Sequence, residues 1–344
     1  MEEAAMKGRI LGASGISVSE ITLGAMMFGA VGNDDHDDSI AIIRTALDAG
    51  VNLIDTADVY SGGESEVIVG KALRGRRDDV VIATKFGLPT GDDANQRGAS
   101  PRWIRRAVEN SLRRLDTEWI DLYQLHRPDH ATGIDETLAT LSDLVREGKV
   151  RAVGSSTFPA ELIVEAQWAA ERGGHRRFVS EQPLYSVLTR SIERAVLPTA
   201  RRHGMGVISY SPLNAGWLSG RSDPAGSHRA GSRPSMYDPA VPGNQAKAEA
   251  VRQLTLLATE AGIPLPHLAL AFVLAHPALT SVIIGPRTHD QLTSLLGAAD
   301  VILAPDVLDR IDEIVAPGTD LNPDDNYNAT PPDLLDAALR RHLN

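Results

Sequence analysis

The sequence predicts a closed (β/α)8 barrel, and three observations carry this prediction. Short apolar segments, typical of buried parallel strands, recur along the chain, and segments with helical periodicity separate them. Eight such apolar segments lie near positions 21, 51, 80, 120, 150, 178, 206 and 281. No Gly-x-Gly-x-x-Gly motif follows the first of them, which disfavours an open dinucleotide-binding sheet. Eight strand–helix units in a chain of 344 residues are typical of the barrel.

The segments outside the strand–helix units have patterns of their own. We expect the barrel to cover about residues 20–300, preceded by a β-hairpin at residues 10–18 that acts as a lid. A stretch rich in Gly, Ser, Pro and Arg, about residues 212–244, predicts a mobile loop. The tail, about residues 316–344, is polar and broken by prolines, and the pattern leaves open whether it covers the mouth of the barrel. We expect residues 1–344 to form one domain.

Composition and charge exclude several classes of function. The chain has no cysteine, which excludes disulfides, thiolate metal sites and cysteine nucleophiles. Its net charge of −11 argues against binding to nucleic acid. No apolar run approaches the ~18 residues of a membrane span, and the first residues lack the apolar core of a signal peptide. We therefore expect a cytoplasmic protein with no nucleic-acid or membrane partner, and the oligomeric state stays open.

An acidic run, Asp34-Asp35-His36-Asp37-Asp38, comes just before the first predicted helix. Carboxylates and imidazole can bind a metal ion, but acidic side chains also stabilise the N-terminus of a helix. We interpret the run as a helix start and expect no metal site.

Four polar side chains follow three neighbouring strands, where the active sites of such barrels lie. Asp55 ends the second strand and Tyr60 stands in the loop after it, while Lys85 and His126 end the third and fourth strands. Taken singly, each residue could be a cap, a loop anchor or a surface group. Because the ends of consecutive strands meet at one mouth, we expect the four side chains to lie together.

The four residue types together predict acid–base chemistry on a carbonyl group. An unperturbed phenol has a pKa of about 10, and a neighbouring ammonium lowers such a value. Asp55 would hold the ammonium of Lys85, and His126 would orient a carbonyl oxygen towards the phenol of Tyr60. A proton donor of this kind needs a source of electrons, so we expect a hydride-carrying cofactor.

Three segments resemble the signature blocks of the aldo-keto reductase family, namely Asp55-Thr56-Ala57-Asp58-Val59-Tyr60, Ala83-Thr84-Lys85-Phe86-Gly87 and Leu125-His126-Arg127-Pro128-Asp129. The resemblance extends over about residues 8–315. It is stronger to bacterial and potassium-channel-β-subunit-like members than to the mammalian aldose reductases. It implies reduction of small-molecule aldehydes or ketones with NADPH, with Tyr60 as general acid supported by Asp55, Lys85 and His126.

The resemblance also implies a cofactor site. Ser156 and Gln182 match positions that hold the nicotinamide carboxamide, whereas Thr157 replaces an asparagine of the family. Tyr210 matches the aromatic residue on which the nicotinamide stacks. The full set of expected cofactor-binding residues is Gly24, Ala25, Met26, Asp55, Ser156, Thr157, Gln182, Tyr210, Ser211, Pro212, Leu213, Ala215, Arg221, Gly285, Arg287 and Gln291.

Two parts of this set would bind phosphate groups and adenine. Ser211 to Ala215 and Arg221 would face the pyrophosphate. Arg287, at the start of a helix, would hold a 2′-phosphate, and Gln291 would contact adenine. Because Ser294 and Leu295 replace the usual Glu and Asn, the resemblance implies NADPH but also allows NADH.

Substrate specificity is not readable from the pattern, although Met26, Met27, Phe28 and Trp217 are candidates for an apolar substrate wall. Two alternative functions fit the same fold. One is a regulatory nucleotide-binding subunit with negligible turnover. The other is a lyase or epimerase that uses Lys85 to form an imine, which would require a lysine in an apolar pocket rather than beside a carboxylate.

Overall fold

The computed structural model describes residues 6–221, 233–326 and 337–341. Ten strands occur there: β1 (Gly8–Ile10), β2 (Ser17–Ser19), β3 (Ile21–Gly24), β4 (Leu53–Asp55), β5 (Val81–Phe86), β6 (Ile120–Leu125), β7 (Val150–Ser156), β8 (Ser180–Gln182), β9 (Gly206–Ser209) and β10 (Leu279–Ile284). Strands β3 to β10 form a closed barrel, because β10 pairs with β3, and every neighbouring pair is parallel. The predicted eight-stranded barrel is confirmed.

Helices surround the strands. They are α1 (His36–Asp48), α2 (Glu64–Ala72), α3 (Pro101–Leu115), α4 (Ile134–Arg146), α5 (Ala160–Gly173), α6 (Val196–Arg202), α7 (Pro242–Glu260), α8 (Leu265–Ala275), α9 (His289–Leu296), α10 (Pro305–Ile314) and α11 (Ala337–Arg340). Good capping residues explain several starts: Asp35 accepts hydrogen bonds from the amides of Asp37 and Asp38 at α1. The acidic run therefore includes a helix cap, as expected.

Several element boundaries differ from the sequence-based expectation. Strand β5 continues to Phe86, so Lys85 is its penultimate residue and not its last. Helix α7 begins at Pro242, because proline suits the first turn of a helix, and it shortens the loop expected over residues 212–244. Residues 222–232 of the expected loop lie outside the described residues.

Two apolar layers position the strands. Side chains between the strands and the helices form the larger layer, with Ile54, Ile82 and Tyr123 among its buried members. The alternate side chains of the barrel strands point into the barrel and form a smaller cluster: Leu53, Ala83, Leu122, Ala152, Ile208 and Ile283, which Leu11 and Val18 of the N-terminal hairpin join. This division follows from the two-residue period of a strand.

The N-terminal hairpin, β1 paired with β2, closes the barrel at the end where the strands begin. Its turn residue Gly12 has φ +52°, and a Cβ atom there would lie 2.4 Å from the carbonyl oxygen of Val179 and 2.5 Å from the amide nitrogen of Gly206. Only glycine fits this close approach. The expected lid is thus a plug at the opposite end of the barrel from the strand ends that carry Asp55 and Gln182.

The C-terminal segment from Val315 to Asn326 packs beside the loop between β8 and α6. The amide of Leu321 donates to the carbonyl of Leu188 at 3.1 Å, and the guanidinium of Arg190 donates to the carbonyl of Val315 at 2.6 Å. These contacts show where the first part of the tail runs. Residues 327–336 and 342–344 lie outside the described residues.

Within the described ranges, no single helix has both the length and the apolar composition to cross a membrane. Two bent pairs of helices satisfy those criteria only when the members of each pair are combined.

Candidate active site

On two neighbouring strands, the side chains inside the barrel change from apolar to polar between one residue and the second residue after it. Leu53 is followed by Asp55 on β4, and Ala83 by Lys85 on β5, and these four side chains are all buried. Since side chains two residues apart share one face of a strand, the polar pair lies one layer above the apolar cluster. The ends of β4 and β5 therefore deliver a carboxylate and an ammonium to the same place.

Asp55 and Lys85 form a buried ion pair. The Lys85 Nζ lies 2.5 Å from the Asp55 Oδ1 and also donates to the carbonyl oxygen of Thr56 at 2.9 Å. The two residues are 1% and 3% exposed, for Lys85 and Asp55 respectively. Burial alone would lower the pKa of Lys85, but attraction by Asp55, with a contribution from Tyr60, raises that pKa above its usual value. The lysine is therefore a permanent ammonium held in one position.

Tyr60 reaches this ammonium from the loop after β4. The chain turns sharply there, because Ser61, Gly62 and Gly63 have φ of 48°, 66° and 95° before α2 begins. The Tyr60 hydroxyl lies 3.4 Å from the Lys85 Nζ, and the Nζ lies 5.1 Å from the centroid of the phenol ring. Tyr60 is half-buried and lines a cleft, so its hydroxyl joins the buried ion pair to the space where a ligand can bind.

His126 completes the group at the end of β6. Its backbone amide donates to the carbonyl of Phe86 at 2.9 Å, which fixes it beside β5. Its ring faces that of Tyr60 edge-on, with centroids 5.9 Å apart and planes at 82°. Burial, reinforced by the charges of Lys85 and Arg127, holds the pKa of His126 well below its usual value. The imidazole is therefore neutral near pH 7 and has one N–H to donate.

Two glutamine side chains complete the surroundings of Asp55. The Gln182 Nε2 donates to the Asp55 Oδ2 at 2.8 Å, and the Gln124 Nε2 lies 3.4 Å from the same oxygen. Gln124 is fully buried on β6, two residues after Leu122. It was not predicted as a site residue from the sequence. The two-residue period of β6 could have identified it, because it places Gln124 in the same layer as Asp55 and Lys85.

A cleft of about 560 Å³ opens above these residues. Most of the expected cofactor-binding positions line it: Gly24, Met26, Asp55, Ser156, Gln182, Tyr210, Ser211, Pro212, Leu213, Ala215, Arg221, Gly285, Arg287 and Gln291. The other two expected positions, Ala25 and Thr157, are 0% and 1% exposed and are not among the lining residues. At Gly24 a Cβ atom would lie 2.6 Å from the Ile283 Cγ2, so that position requires glycine.

The candidates for an apolar wall separate into two groups. Met26 and Met27 line the cleft, as Tyr60 and His126 do. Phe28 is fully buried in the layer under the helices, and Trp217 is 6% exposed and stacks on Tyr237. Only the two methionines are therefore placed to contact a substrate.

The segment after β9 has an unusual backbone. Ser211, Asn214 and Ala215 have φ of 55°, 46° and 56°, in the left-handed region that non-glycine residues rarely adopt. Such strain concentrates at binding sites, where closely spaced backbone amides can point towards an anion. Two of these three residues, Ser211 and Ala215, line the cleft.

The far end of the cleft is formed by the loop after β10 and by the start of α9. The amide of Arg287 donates to the Gln291 Oε1 at 2.9 Å, and the Asn33 Nδ2 donates to the Arg287 carbonyl at 3.0 Å. Arg233 and Asp290 also line this cleft. Arg233 was not predicted from the sequence, because it lies in an irregular stretch where no periodic pattern indicates which way a side chain points.

The cleft suits a dinucleotide. Its volume falls within the range of about 300–1,000 Å³ that is usual for ligand sites. Its lining includes Tyr60 in one part and Arg287 with Gln291 in another. Four lining arginines, Arg127, Arg221, Arg233 and Arg287, supply positive charge. In the described residues no group of three His, Asp or Glu side chains is arranged to hold a metal ion.

Comparison with known proteins identifies the family. The model of the Aldo/keto reductase family matches residues 20–316. The uncharacterized oxidoreductase YrpG of Bacillus subtilis is 38% identical over 320 residues, covering 90% of this chain and 96% of that protein. The aldo-keto reductase YhdN of the same organism is 37% identical, covering 82% and 85%.

Another relative has a different kind of name. A probable voltage-gated potassium channel subunit beta of Oryza sativa is 34% identical over 321 residues, covering 90% of this chain and 97% of that protein. The family model and these relatives span nearly the whole barrel, including the β4, β5 and β6 ends that carry Asp55, Lys85 and His126. The chain belongs to the aldo/keto reductase family.

Proposed function

We propose that this protein reduces aldehydes or ketones to alcohols with NADPH, and that Tyr60 is the general acid. The observation that carries the proposal is the placement of one buried ammonium, the Lys85 Nζ, 2.5 Å from the Asp55 carboxylate and 3.4 Å from the Tyr60 hydroxyl. A fixed positive charge beside a phenol stabilises the phenolate that remains when the phenol gives up its proton.

The side chains then have distinct roles. The neutral imidazole of His126 donates an N–H hydrogen bond to the carbonyl oxygen of the substrate and orients it towards Tyr60. As negative charge develops on that oxygen, Tyr60 transfers its proton, and the Lys85 ammonium stabilises the phenolate. A bound nicotinamide supplies the hydride to the carbonyl carbon. The Asp55 carboxylate holds the lysine and also accepts hydrogen bonds from Gln182 and Gln124.

The cofactor would be held along the cleft. Ser156 and Gln182 would hold the carboxamide, Tyr210 would stack on the nicotinamide, and Ser211 to Ala215 with Arg221 would face the pyrophosphate. Ala25 and Thr157 stay proposed cofactor positions that lie just behind the lining. Arg287 would bind the 2′-phosphate of NADPH. Asp290 on the same wall is a carboxylate that would be compatible with NADH, which has no 2′-phosphate.

Replacement of Tyr60 tests this function most directly. We expect Tyr60→Phe to slow NADPH consumption with a reactive aromatic aldehyde by about 10²–10⁴-fold, the usual contribution of a general acid. NADPH binding, measured by tryptophan fluorescence, should change little because the hydroxyl is not a cofactor contact. Turnover retained by Tyr60→Phe would mean that the proton comes from another group.

Two alternatives predict different results. A regulatory subunit, the role suggested by relatives named as potassium channel subunits, would bind NADPH but not consume it in a screen of aldehydes, ketones and sugars. A lyase or epimerase with an imine at Lys85 would give a trapped adduct with substrate and borohydride. The Asp55–Lys85 ion pair argues against the imine, since it keeps the amine protonated.

We also propose that the 344 residues form one structural unit. The barrel carries both the proposed catalytic residues and the proposed cofactor wall. The C-terminal segment as far as Asn326 packs against it at Ser191, whose amide donates to the Asp320 Oδ1 at 2.8 Å and whose Oγ accepts from the Asn326 Nδ2 at 3.0 Å. Limited proteolysis should release no second folded fragment from the intact chain.

A further inference from the structure

A second buried ion pair lies outside the proposed active site. Lys247 on α7 and Asp325 in the C-terminal segment are 0% and 3% exposed, and the Lys247 Nζ lies 2.6 Å from the Asp325 Oδ2. Removal of one partner from such a pair leaves an uncompensated buried charge, which is strongly destabilising. A buried pair can also fix one arrangement of the segments that it joins, and here the two residues are 78 positions apart.

Contacts run from this pair to the wall of the cleft. The Lys247 Nζ lies 4.5 Å from the centroid of the Trp217 ring. It also lies 3.4 Å from the carbonyl oxygen of Met236, which accepts a hydrogen bond from the Trp217 Nε1 at 3.3 Å. Trp217 and Tyr237 are stacked with centroids 6.1 Å apart, and the Tyr237 hydroxyl donates to the carbonyl of Ala215 at 2.7 Å. Ala215 lines the cleft.

A parallel set of amide contacts supports the same region. The Asn322 Nδ2 donates to the Asn244 Oδ1 at 3.0 Å, and the Asn244 Nδ2 donates to the carbonyls of Ser235 and Asp238 at 2.8 and 3.0 Å. Asn322 packs so closely on Gly243 that a Cβ atom there would lie 2.7 Å from the Asn322 Cγ. The C-terminal segment is thus bonded to the stretch that follows Arg233, another lining residue.

We propose that Lys247 and Asp325 are positioning residues that hold the cofactor strap, defined as residues 211–219 and 233–238, in place over the cleft. In holding the strap, the pair sets the rate at which the cofactor leaves. The inference rests on the proposed function, since it takes the cleft to bind a dinucleotide. Neither residue lines the cleft, so both act through Trp217, Met236, Tyr237 and Ala215.

The dissociation rate of NADPH is the measurement that tests this inference. We expect Asp325→Asn and Lys247→Met to release NADPH about tenfold faster in stopped-flow fluorescence, because loss of a supporting contact shows mainly in the dissociation rate. Asp121→Asn is the matched control, since it breaks the partly buried pair between Asp121 and Arg77 at the other end of the barrel. It should affect stability but not NADPH release.

A double variant keeps the test valid if the single variants do not fold. Lys247→Met with Asp325→Leu replaces the pair by apolar side chains and leaves no unpaired buried charge. We expect it to fold and still to release NADPH about tenfold faster, since the bond to Met236 and the contact with Trp217 are lost. In the cofactor-free protein, acrylamide should quench Trp217 more strongly, with Trp217→Phe as the reference for the other tryptophans.

The outcomes separate the two proposals. No NADPH binding by the unaltered protein would overturn the proposed function. Normal NADPH binding, with release and acrylamide quenching unchanged in the folded double variant, would overturn the role of Lys247 and Asp325 alone.

Discussion

The floor of the cleft and its wall are built in different ways. The floor consists of Asp55, Lys85 and His126, which lie on or directly after three consecutive strands and are at most 5% exposed. The wall consists of loop residues, among them Ala215 and Arg287, which are half-buried and come from distant parts of the chain. Strand ends fix the floor, whereas contacts between loops and the C-terminal segment fix the wall.

The difference indicates a division of tasks. Acid–base chemistry needs groups held to within a fraction of an ångström, and side chains on packed strands satisfy that requirement. A cofactor must enter and leave, and loops held by a limited number of contacts allow such movement. Changes to the floor should therefore lower the rate of the chemical step, and changes to the wall should alter cofactor affinity.

Lys85→Met gives the largest expected effect and tests the role of the floor. We expect kcat to fall by about 10³-fold or more, since the phenolate loses its neighbouring positive charge, and the protein to lose about 3–5 kcal/mol of stability, because Asp55 stays buried without a cation. Steady-state kinetics and urea unfolding measure the two effects. The control is Lys149→Met, at the opposite end of the barrel, which should change neither kcat nor stability greatly. An equal loss of kcat in Lys85→Met and Lys149→Met would contradict the special role of the floor.

Arg287→Ala tests the wall. We expect NADPH to bind about 10–100-fold more weakly, because a charge-assisted contact to the 2′-phosphate is lost, while NADH binding and kcat change little. Fluorescence titration with both cofactors measures the affinity ratio, with Arg105→Ala on α3 as the control. Equal affinities for NADPH and NADH in the unaltered protein would contradict the assignment of a 2′-phosphate site.

Asp58→Asn tests a buried carboxyl beside the floor through the pH dependence of stability; the amide of Asp58 donates to the carbonyl of Lys85 at 3.1 Å. Burial, reinforced by Glu66, raises the pKa of Asp58 from 3.8 to about 8. Because the folded state then holds the proton more tightly than the unfolded state, this contribution is full below pH 4 and is lost as the pH rises towards 8. Between pH 5 and pH 8 this group should lower the free energy of unfolding of the unaltered protein by about 3–4 kcal/mol, and we expect Asp58→Asn to lack that loss.

Chemical denaturation at pH 5, 7 and 8 provides that measurement. The exposed Asp309→Asn is the control and should leave the slope unchanged. Burial raises the pKa of Glu181 to about 7, so this residue also lowers the free energy of unfolding as the pH rises. That contribution remains in Asp58→Asn and in Asp309→Asn. An unchanged slope in Asp58→Asn would mean that Asp58 is ionised in the folded protein.

Gln124→Leu has the smallest expected effect and refines the limits of the floor. Asp55 would keep its bonds from Lys85 and Gln182, so we expect kcat to fall only about two- to fivefold, the effect of losing one weak neutral hydrogen bond. The kcat and KM should be compared with those of Gln167→Leu, a buried glutamine on α5 outside the site. A loss as large as that of Lys85→Met would place Gln124 among the main supports of Asp55.

The sequence by itself determined the barrel and the composition of its floor. Alternating strands and helices predict the fold, and strand periodicity brings Asp55, Lys85 and His126 to one mouth without any knowledge of side-chain packing. The predicted boundaries of β5 and α7 were less accurate than the predicted fold. Local propensities specify neither where strand pairing ends nor at which residue a helix begins.

The tertiary structure decided how the wall is supported. Nothing in the pattern placed Arg233 beside the cleft, buried Trp217 within the cofactor strap, or paired Lys247 with Asp325 across 78 residues. Contacts of this kind join irregular segments that are distant in the chain. They depend on how loops pack after the barrel has closed, and such packing has no period that a sequence can display.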